Sequence, residues 1–373
     1  MRDDSAAETW TGILGAERQL AGERAIAELR AARPVLLSDG AEQRLVAAAE
    51  TADAGLIEAF RSSAGDLGLV LAAPRLRALG CKVKSARRFA VSTADIEAVQ
   101  RLVVESKPFP LPPSRPASAL DCAAMQLVKL SFQLPAALVA RPDPGRTPRS
   151  LLQVSREAVE SFRSGAMPPL KIATRAPVPL EAGTDVEFVV FRGGDGLRDQ
   201  VAVVVGKPDP QAPVLLRLHS ACLTGDLFGS LKCDCGEQLR DAVAAMMRAG
   251  GGILLYLDQE GRGTGLRSKM RAYRLQSFGY DTLESDAVLG YDADERSYRA
   301  AGCMLNLLGV SRVTMMTNNP DKLRALADCG IEVTARKPLL GSVNEHNRSY
   351  LTTKSQRAGH MLEPEPLHRA PRC

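Results

Sequence analysis

The sequence predicts an α/β protein of two domains, built from mixed sheets with flanking helices. Three observations predict it. Apolar runs of strand length alternate with stretches of helical period along most of the chain. Two proline-rich stretches interrupt that alternation. And 373 residues, 45% of them apolar and 24% charged, are enough for about two globular domains with sizeable cores.

Taken in order, E-R-A-I-A-E-L-R-A-A-R, from Glu23, has apolar residues at helical spacing and stops at Pro34. V-L-L follows as a short strand. Ala41 to Phe60 reads as a second helix, and G-L-V-L-A-A-P, from Gly68, as a buried strand. P-F-P-L-P-P-S-R-P (Pro108 to Pro116) and R-P-D-P-G-R-T-P-R (Arg141 to Arg149) can continue neither a helix nor a central strand, so they read as loops or linkers. Beyond them, Asp185 to Phe191 and Gln200 to Val205 are strands joined by the turn G-G-D-G. V-L-L-R-L-H-S (Val214 to Ser220) is a third strand running directly to Cys222. Leu239, Ala242, Val243, Met246 and Met247 form one apolar helix stripe, whose methionines read as core. G-G-G ends that helix and I-L-L-Y-L is a fully apolar strand. The loop Q-E-G-R-G-T-G leads to a helix from about Leu266 to Phe278. R-V-T-M-M-T-N-N-P-D-K is a strand, a polar turn and a helix start; that helix ends at Gly330, and I-E-V-T-A-R is the last strand. Polar loops thus follow apolar strands, where ligand sites concentrate. The domain division expected is 1–165, with its proline-rich linkers, and 166–373, with a flexible tail after about 362.

Composition excludes several classes. A net charge of +5 does not by itself point to nucleic acid, and is compatible with a small anionic substrate. The acidic start M-R-D-D-S-A-A-E-T-W has neither the basic nor the apolar segment of a secretory signal. No apolar run reaches the length of a membrane span. Eight cysteines, scattered outside one cluster, do not read as a disulfide framework, so a cytoplasmic protein with reduced thiols is expected. Histidine is confined to positions 219, 346, 360 and 368, so chemistry in the first 218 residues must proceed without imidazole.

The cluster is C-L-T-G-D-L-F-G-S-L-K-C-D-C, from Cys222 to Cys235, spaced C-x10-C-x-C. Four readings stand beside one another: a tight Cys233–Cys235 disulfide, a C-x-C redox pair, a structural zinc completed by a remote residue such as His219, and a zinc held by three thiolates. The last is preferred, because three ligands leave a fourth position for water, as in catalytic zinc sites. His219 also reads as an ordinary buried histidine.

The blocks R-L-H-S-A-C-L-T-G-D, K-C-D-C-G-E-Q-L, Q-E-G-R-G-T-G-L, K-M-R-A-Y, G-Y-D-T, A-D-E-R and T-N-N-P-D-K, in this order and spacing, resemble GTP cyclohydrolase II from about Leu170 to Leu362. The resemblance implies opening of the imidazole ring of GTP, with release of formate and pyrophosphate, as the first step of riboflavin synthesis. It implies zinc on Cys222, Cys233 and Cys235, and Mg2+ with the triphosphate. C8 of guanine lies between two nitrogens and is electrophilic, so an activated water suits it. Tyr273 matches the family tyrosine beside the ring-opening chemistry, where a phenol can hold or relay a proton; on its own it reads as a packed helix side chain. Asp294 and Arg296 match the proton acceptor and the proposed arginine nucleophile; without the resemblance A-D-E-R reads as a solvated helix turn. Guanidinium stays protonated, so clamping a phosphate is an equally good role for Arg296. Glu260 is the expected partner of the guanine N1–H and 2-amino donors. Arg217, Gly261, Arg262 and Lys322 match phosphate-side or substrate contacts, and Gln238, Thr282 and Thr317 further GTP contacts. R-G-T-G lacks the spacing of a dinucleotide fingerprint. A homodimer with GTP as its partner, and neither nucleic acid nor membrane, is expected.

Two departures stand out. Ala221 replaces the family's glutamate before the first cysteine, and Leu257–Asp258 stand where His–Arg is usual. The first half resembles a degenerate dihydroxybutanone phosphate synthase. Its acidic run is reduced to S-D-G-A-E-Q-R and its histidine motifs are absent, so no synthase activity is expected there.

Overall fold

A computed structural model of the chain describes residues 17–91, 96–164, 170–193, 199–292, 294–357, 359 and 361. The G-G-D-G turn beyond Gly193, the 165/166 division, and the tail after residue 362 lie outside them. The architecture is mixed α/β, with two seven-stranded sheets. Two compact units are present: residues 1–166 with Arg267–Asp294, and residues 167–266 with Glu295–Cys373.

In the first unit the strands are β1 (Val35–Asp39), β2 (Glu42–Ala48), β3 (Ala64–Leu71), β4 (Arg87–Ala90), β5 (Ser114–Pro116), β6 (Ala136–Pro142) and β7 (Gln153–Ser155). They lie in the order β5-β4-β3-β6-β2-β1-β7. Every pairing is antiparallel except β1 with β7. The expected helix from Ala41 to Phe60 is corrected: β2 occupies its first part, and the helix Ala54–Ser63 only its end. Leu45, Val46, Ala47 and Ala48 are all buried, because β2 lies between β1 and β6. An alanine run has high helix propensity, but a strand buried on both faces also reads as continuous apolar sequence, and burial decided. Proline sits where a missing N–H costs least: Pro116 is on the edge strand β5. The core gathers Phe60, Leu69, Leu71, Phe89 and Leu138, with Ala272, Leu289 and Tyr291 from the later segment.

In the second unit the strands are β8 (Lys171–Pro177), β9 (Val186–Arg192), β10 (Gln200–Gly206), β11 (Val214–Ser220), β12 (Gly251–Leu257), β13 (Arg312–Met316) and β14 (Glu332–Lys337). Their order is β14-β13-β11-β12-β10-β9-β8. The first four are mutually parallel, and β12, β10, β9 and β8 pair antiparallel. Side chains alternate across the sheet. Ile253, Leu255 and Leu257 join one core with Met304 and Leu305 of the helix Arg299–Leu307. Leu254 joins the opposite core with Ala242 and Met246 of the helix Cys235–Arg248. Leu257, which departs from the family histidine, is fully buried there. Among the described residues no helix is long and apolar enough to cross a membrane.

Candidate functional site

The parallel strands β11, β12 and β13 release their chains at one end of the sheet, the carboxyl edge where α/β sheets bind ligands. Cys222 follows β11 by two residues, the Q-E-G-R-G loop follows β12, and Thr317 follows β13. Cys233 and Cys235 stand at the start of the helix Cys235–Arg248. The three sulfurs lie within 4.8 Å of one another, with Cys222 and Cys233 3.7 Å apart. Thiolates about 2.3 Å from a tetrahedral zinc lie roughly 3.8 Å apart, so the donor set fits that ion. None of the three is disulfide-bonded, so the tight Cys233–Cys235 disulfide is not formed. Their crowding pushes the Cys235 thiol well above its ordinary value, through contact with Cys222 first, then Cys233, then burial. Protons that three packed thiols keep are protons a dication would displace.

Gly225 makes the cluster possible. A Cβ there would lie 2.9 Å from the Cys233 sulfur, 3.0 Å from that of Cys222 and 3.1 Å from the Cys235 Cβ. Asp226, next in the chain, braces Cys222. Its Oδ2 accepts the Cys222 N–H at 2.9 Å and the Tyr256 hydroxyl at 2.9 Å, and its Oδ1 meets His219 Nε2 at 3.0 Å. His219 is buried and stacked on Tyr256, and burial holds its pKa below the ordinary value. Its Nε2 is thus engaged by Asp226, and the cysteine group does not include it among the described residues.

Asp234, between two of the cysteines, is buried and starts a chain of bonds. Lys354 Nζ donates to Oδ1 at 3.0 Å, and Gln238 Nε2 to Oδ2 at 2.6 Å. Burial would raise the Asp234 carboxyl, but the Lys354 ammonium beside it brings it below its ordinary value. Gln238 Oε1 in turn accepts from Arg217 Nη2 at 2.6 Å, while Nη1 donates to the Met316 carbonyl at 3.1 Å. Arg217 is 6% exposed, and desolvation lowers its pKa. Lys322 is as deeply buried, donates to the Leu218 carbonyl at 2.7 Å, and lies 5.7 Å from the Tyr298 ring centroid. Arg296 approaches that same ring at 5.8 Å. Thr317 is buried, and its hydroxyl accepts the Asn319 N–H at 3.0 Å.

The E-G-R-G loop is backbone-driven. Gly261, Arg262 and Gly263 all have positive φ, at 63°, 60° and 91°. A Cβ at Gly263 would meet the Glu295 carbonyl oxygen at 2.7 Å, so the loop packs closely on the segment leading to Arg296. The Glu295 N–H donates to the Arg262 carbonyl at 3.2 Å. A non-glycine residue such as Arg262 in the left-handed region is strained, a feature common at functional sites. Glu260 takes the Leu223 N–H on Oε2 at 2.7 Å and the Gly261 N–H on Oε1 at 2.9 Å. It therefore braces the turn after Cys222, while ionised carboxylate oxygens retain further acceptor positions.

Tyr273, Thr282 and Asp294 fall in the other unit. Tyr273 is half-buried on the helix Gly265–Gln276, with Lys269 Nζ 5.7 Å from its ring centroid. Thr282 opens the helix Thr282–Val288, capped by Asp281 through a capping box with Glu284. Asp294 is exposed.

Sequence reading did not single out Gly225, Asp226, Asp234, Tyr256 or Lys354. T-G-D lies inside the cysteine spacing and D lies between the paired cysteines, so the first three had a signal in proximity. Tyr256 and Lys354 are 34 and more than 100 residues from Cys222, and only the fold reveals them.

The family model of GTP cyclohydrolase II matches residues 171–338. A GTP cyclohydrolase-2 of Xylella fastidiosa (strain 9a5c) is 41% identical over 351 residues, covering 92% of this chain and 88% of its own. One of Azospirillum brasilense is 45% identical over 265 residues, covering 68% and 69%. One of Azotobacter vinelandii (strain DJ / ATCC BAA-1303) is 48% identical over 190 residues, covering 51% of this chain and 90% of its own. A solved two-domain 3,4-dihydroxy-2-butanone 4-phosphate synthase from A. baumannii covers 86% of this chain and 99% of its own, at 16% identity and a TM-score of 0.33.

Proposed function

The chain belongs to the GTP cyclohydrolase II family, and from that premise we propose that it hydrolyses GTP to formate, pyrophosphate and 2,5-diamino-6-(5-phosphoribosylamino)pyrimidin-4(3H)-one, the first step of riboflavin synthesis. The observation that carries this reading is the set of three thiols within 4.8 Å, beside the buried Arg217 held by the half-buried Gln238. Zinc held by Cys222, Cys233 and Cys235 would supply Lewis acidity and a water acidified toward neutral pH. Mg2+ arrives with the triphosphate.

The chain's own residues supply the rest. Arg217, Arg262 and Lys322 bind the phosphate side, where guanidinium groups can pair with phosphate oxygens. Gln238, Gly261, Thr282 and Thr317 contact GTP, and Glu260 accepts from the guanine N1–H and 2-amino group. Tyr273 holds or moves a proton during ring opening, and Asp294 accepts one. Arg296 clamps the α-phosphate as charge redistributes, since a permanently protonated guanidinium is a poor nucleophile. Residues 166–373 form the functional domain, in a cytoplasmic homodimer.

Residues 1–165 carry no synthase activity in this reading. The reduced acidic run is occupied elsewhere. Asp39 pairs with Arg156, Glu42 pairs with Arg44, and the two acids close the β1–β2 turn. A second reading, a product other than the diaminopyrimidinone, such as a formamide intermediate, draws on Ala221, which places no carboxylate before Cys222.

The test is to incubate the zinc-loaded full chain with GTP and Mg2+ and weigh the products. Formate, pyrophosphate and the diaminopyrimidinone are expected. A retained formyl group would favour the second reading, and unconsumed GTP would overturn both. In a parallel arm, dihydroxybutanone phosphate formed from ribulose 5-phosphate would refute the inactive N-terminal region.

A further inference from the structure

Residues 267–294 belong by sequence to the cyclohydrolase-like half, and they carry Tyr273, Thr282 and Asp294. In the fold they form one compact unit with residues 1–166. The attachment is dense. Ala272, Leu289 and Tyr291 are buried in the same core as Phe60, Leu69 and Leu71. Tyr291 donates to the Gln133 carbonyl at 2.9 Å and meets the Ser268 hydroxyl at 2.9 Å. Tyr280 donates to the Ser106 carbonyl at 2.9 Å. Arg75, 2% exposed, donates to the Leu102 carbonyl and to the Val288 carbonyl, each at 2.9 Å.

One contact bears directly on the helix of Tyr273. The Glu50 carboxylate is 5% exposed; its Oε2 accepts the Leu134 N–H at 2.7 Å, and its Oε1 accepts from Arg271 Nη1 at 2.7 Å. Arg267 Nη1 stands 3.7 Å from the same oxygen. A buried carboxylate fixed by a backbone donor on one oxygen and a guanidinium on the other is a rigid, charge-assisted anchor. Positions 267 and 271 are four apart and share one helix face. Tyr273, two positions beyond Arg271, lies about 200° further round the axis. The anchor therefore grips one side of the helix and presents the phenol on the other.

We propose that the N-terminal region serves the cyclohydrolase reaction as the support of this segment, with Glu50 as a positioning residue that sets Tyr273 through Arg271. This rests on the ring-opening role assigned to Tyr273 above. A misplacement of about 1 Å can cost roughly a hundredfold in rate, so a support that touches no substrate can still govern turnover.

The test uses the full zinc-loaded chain. Glu50→Gln keeps the shape and an acceptor for the Leu134 N–H but removes the charge. Its kcat for GTP should fall at least about tenfold, with KM and zinc content within about twofold. Arg271→Met should give the same loss, and the double variant no more than either. Hydrogen exchange should quicken in Arg267–Gln276 in all three. A kcat within about threefold of the unchanged chain, or losses that multiply in the double variant, would overturn the proposal. Should Glu50→Gln fold poorly, Arg271→Lys, on the more exposed partner, gives the same reading with a milder loss. If the unchanged chain releases no formate from GTP, the functional reading falls alone. Exchange then decides for the support: unchanged protection of the helix in Glu50→Gln overturns it, and faster exchange upholds it.

Discussion

Two buried arginines, Arg88 of the first unit and Arg217 of the second, are held in opposite ways. Around Arg88, charges close on each other. Arg88 and Asp121, 2% and 3% exposed at their side chains, pair at 3.0 Å; Asp66 takes the same arginine, and Arg44 stands 3.5 Å from Asp121. In the second, Arg217 is nearly as buried, but its hydrogen bonds go to an amide oxygen and a backbone carbonyl. Neutral acceptors aim this guanidinium without a direct ion pair, while Asp234 acts on its charge from nearby. Arg88 is fixed by ion pairs, as Asp234 is by Lys354 in the second unit, whereas Arg217, like Arg75 in the first, is fixed by neutral acceptors. A buried pair with no ligand to meet is weak evidence for function, whereas a buried cation on neutral partners, beside three thiols, is much stronger.

The largest expected effect breaks the comparison at its centre. Cys235→Ser should lose the zinc and lower turnover by several kcal/mol, about a thousandfold, as read by metal analysis and formate release. Full metal content in that variant would remove the cysteines from the site. Next comes Gly225→Ala, whose Cβ would crowd two sulfurs at 2.9 and 3.0 Å. Metal affinity should fall by about ten- to a hundredfold, measured by competition with a chelator, even though no ligand is changed. Affinity equal to that of the unchanged chain would show that the thiols have room to move apart.

Arg88→Met sharpens the contrast from the other side. Removing one member of a buried pair should cost about 3 kcal/mol of stability in denaturant unfolding, while zinc content and KM for GTP stay as they were. A loss of zinc in that variant would mean that the first unit's ion pairs also serve the metal site.

The smallest effect concerns His219. Burial lowers its pKa from the ordinary 6.5, with Asp226 opposing in part, so the folded ring should titrate below that value in an NMR titration. As pH falls below about 6.5 the unfolded chain takes up a proton that the folded chain refuses, so this group lowers stability toward acid. A midpoint above 6.5 would show that Asp226 outweighs burial.

The inner strands of the second unit were legible in the sequence, because β10, β11 and β12 are largely apolar runs, whereas the exposed edge strand β8, K-I-A-T-R-A-P, was not read as a strand. The strand expected at Val214–Ser220 appears with those bounds, and the one expected at Ile253–Leu257 begins two residues earlier, at Gly251. The first unit was less legible. L-V-A-A-A serves a helix and a buried strand equally, and neighbours on both sides chose the strand. Within the site, residue types announced the thiols, since cysteines this close are rare in such a chain. Asp226 and Lys354 went unread, because carboxylates and lysines are common and only their partners distinguish them.

By itself the sequence determined the class of fold, the cysteine triad with its spacing, and the loop that carries Arg262. These are local properties of residue type and periodicity. Tertiary structure decided which acid braces Cys222, which lysine faces Asp234, and where residues 267–294 belong. Those depend on side chains meeting across long separations, as Glu50 and Arg271 do over 221 residues, and no local pattern records such a meeting. The packing that buries Ala272 and Tyr291 with Phe60 overrode the order of the chain, so a segment read as part of the second half became the partner of the first.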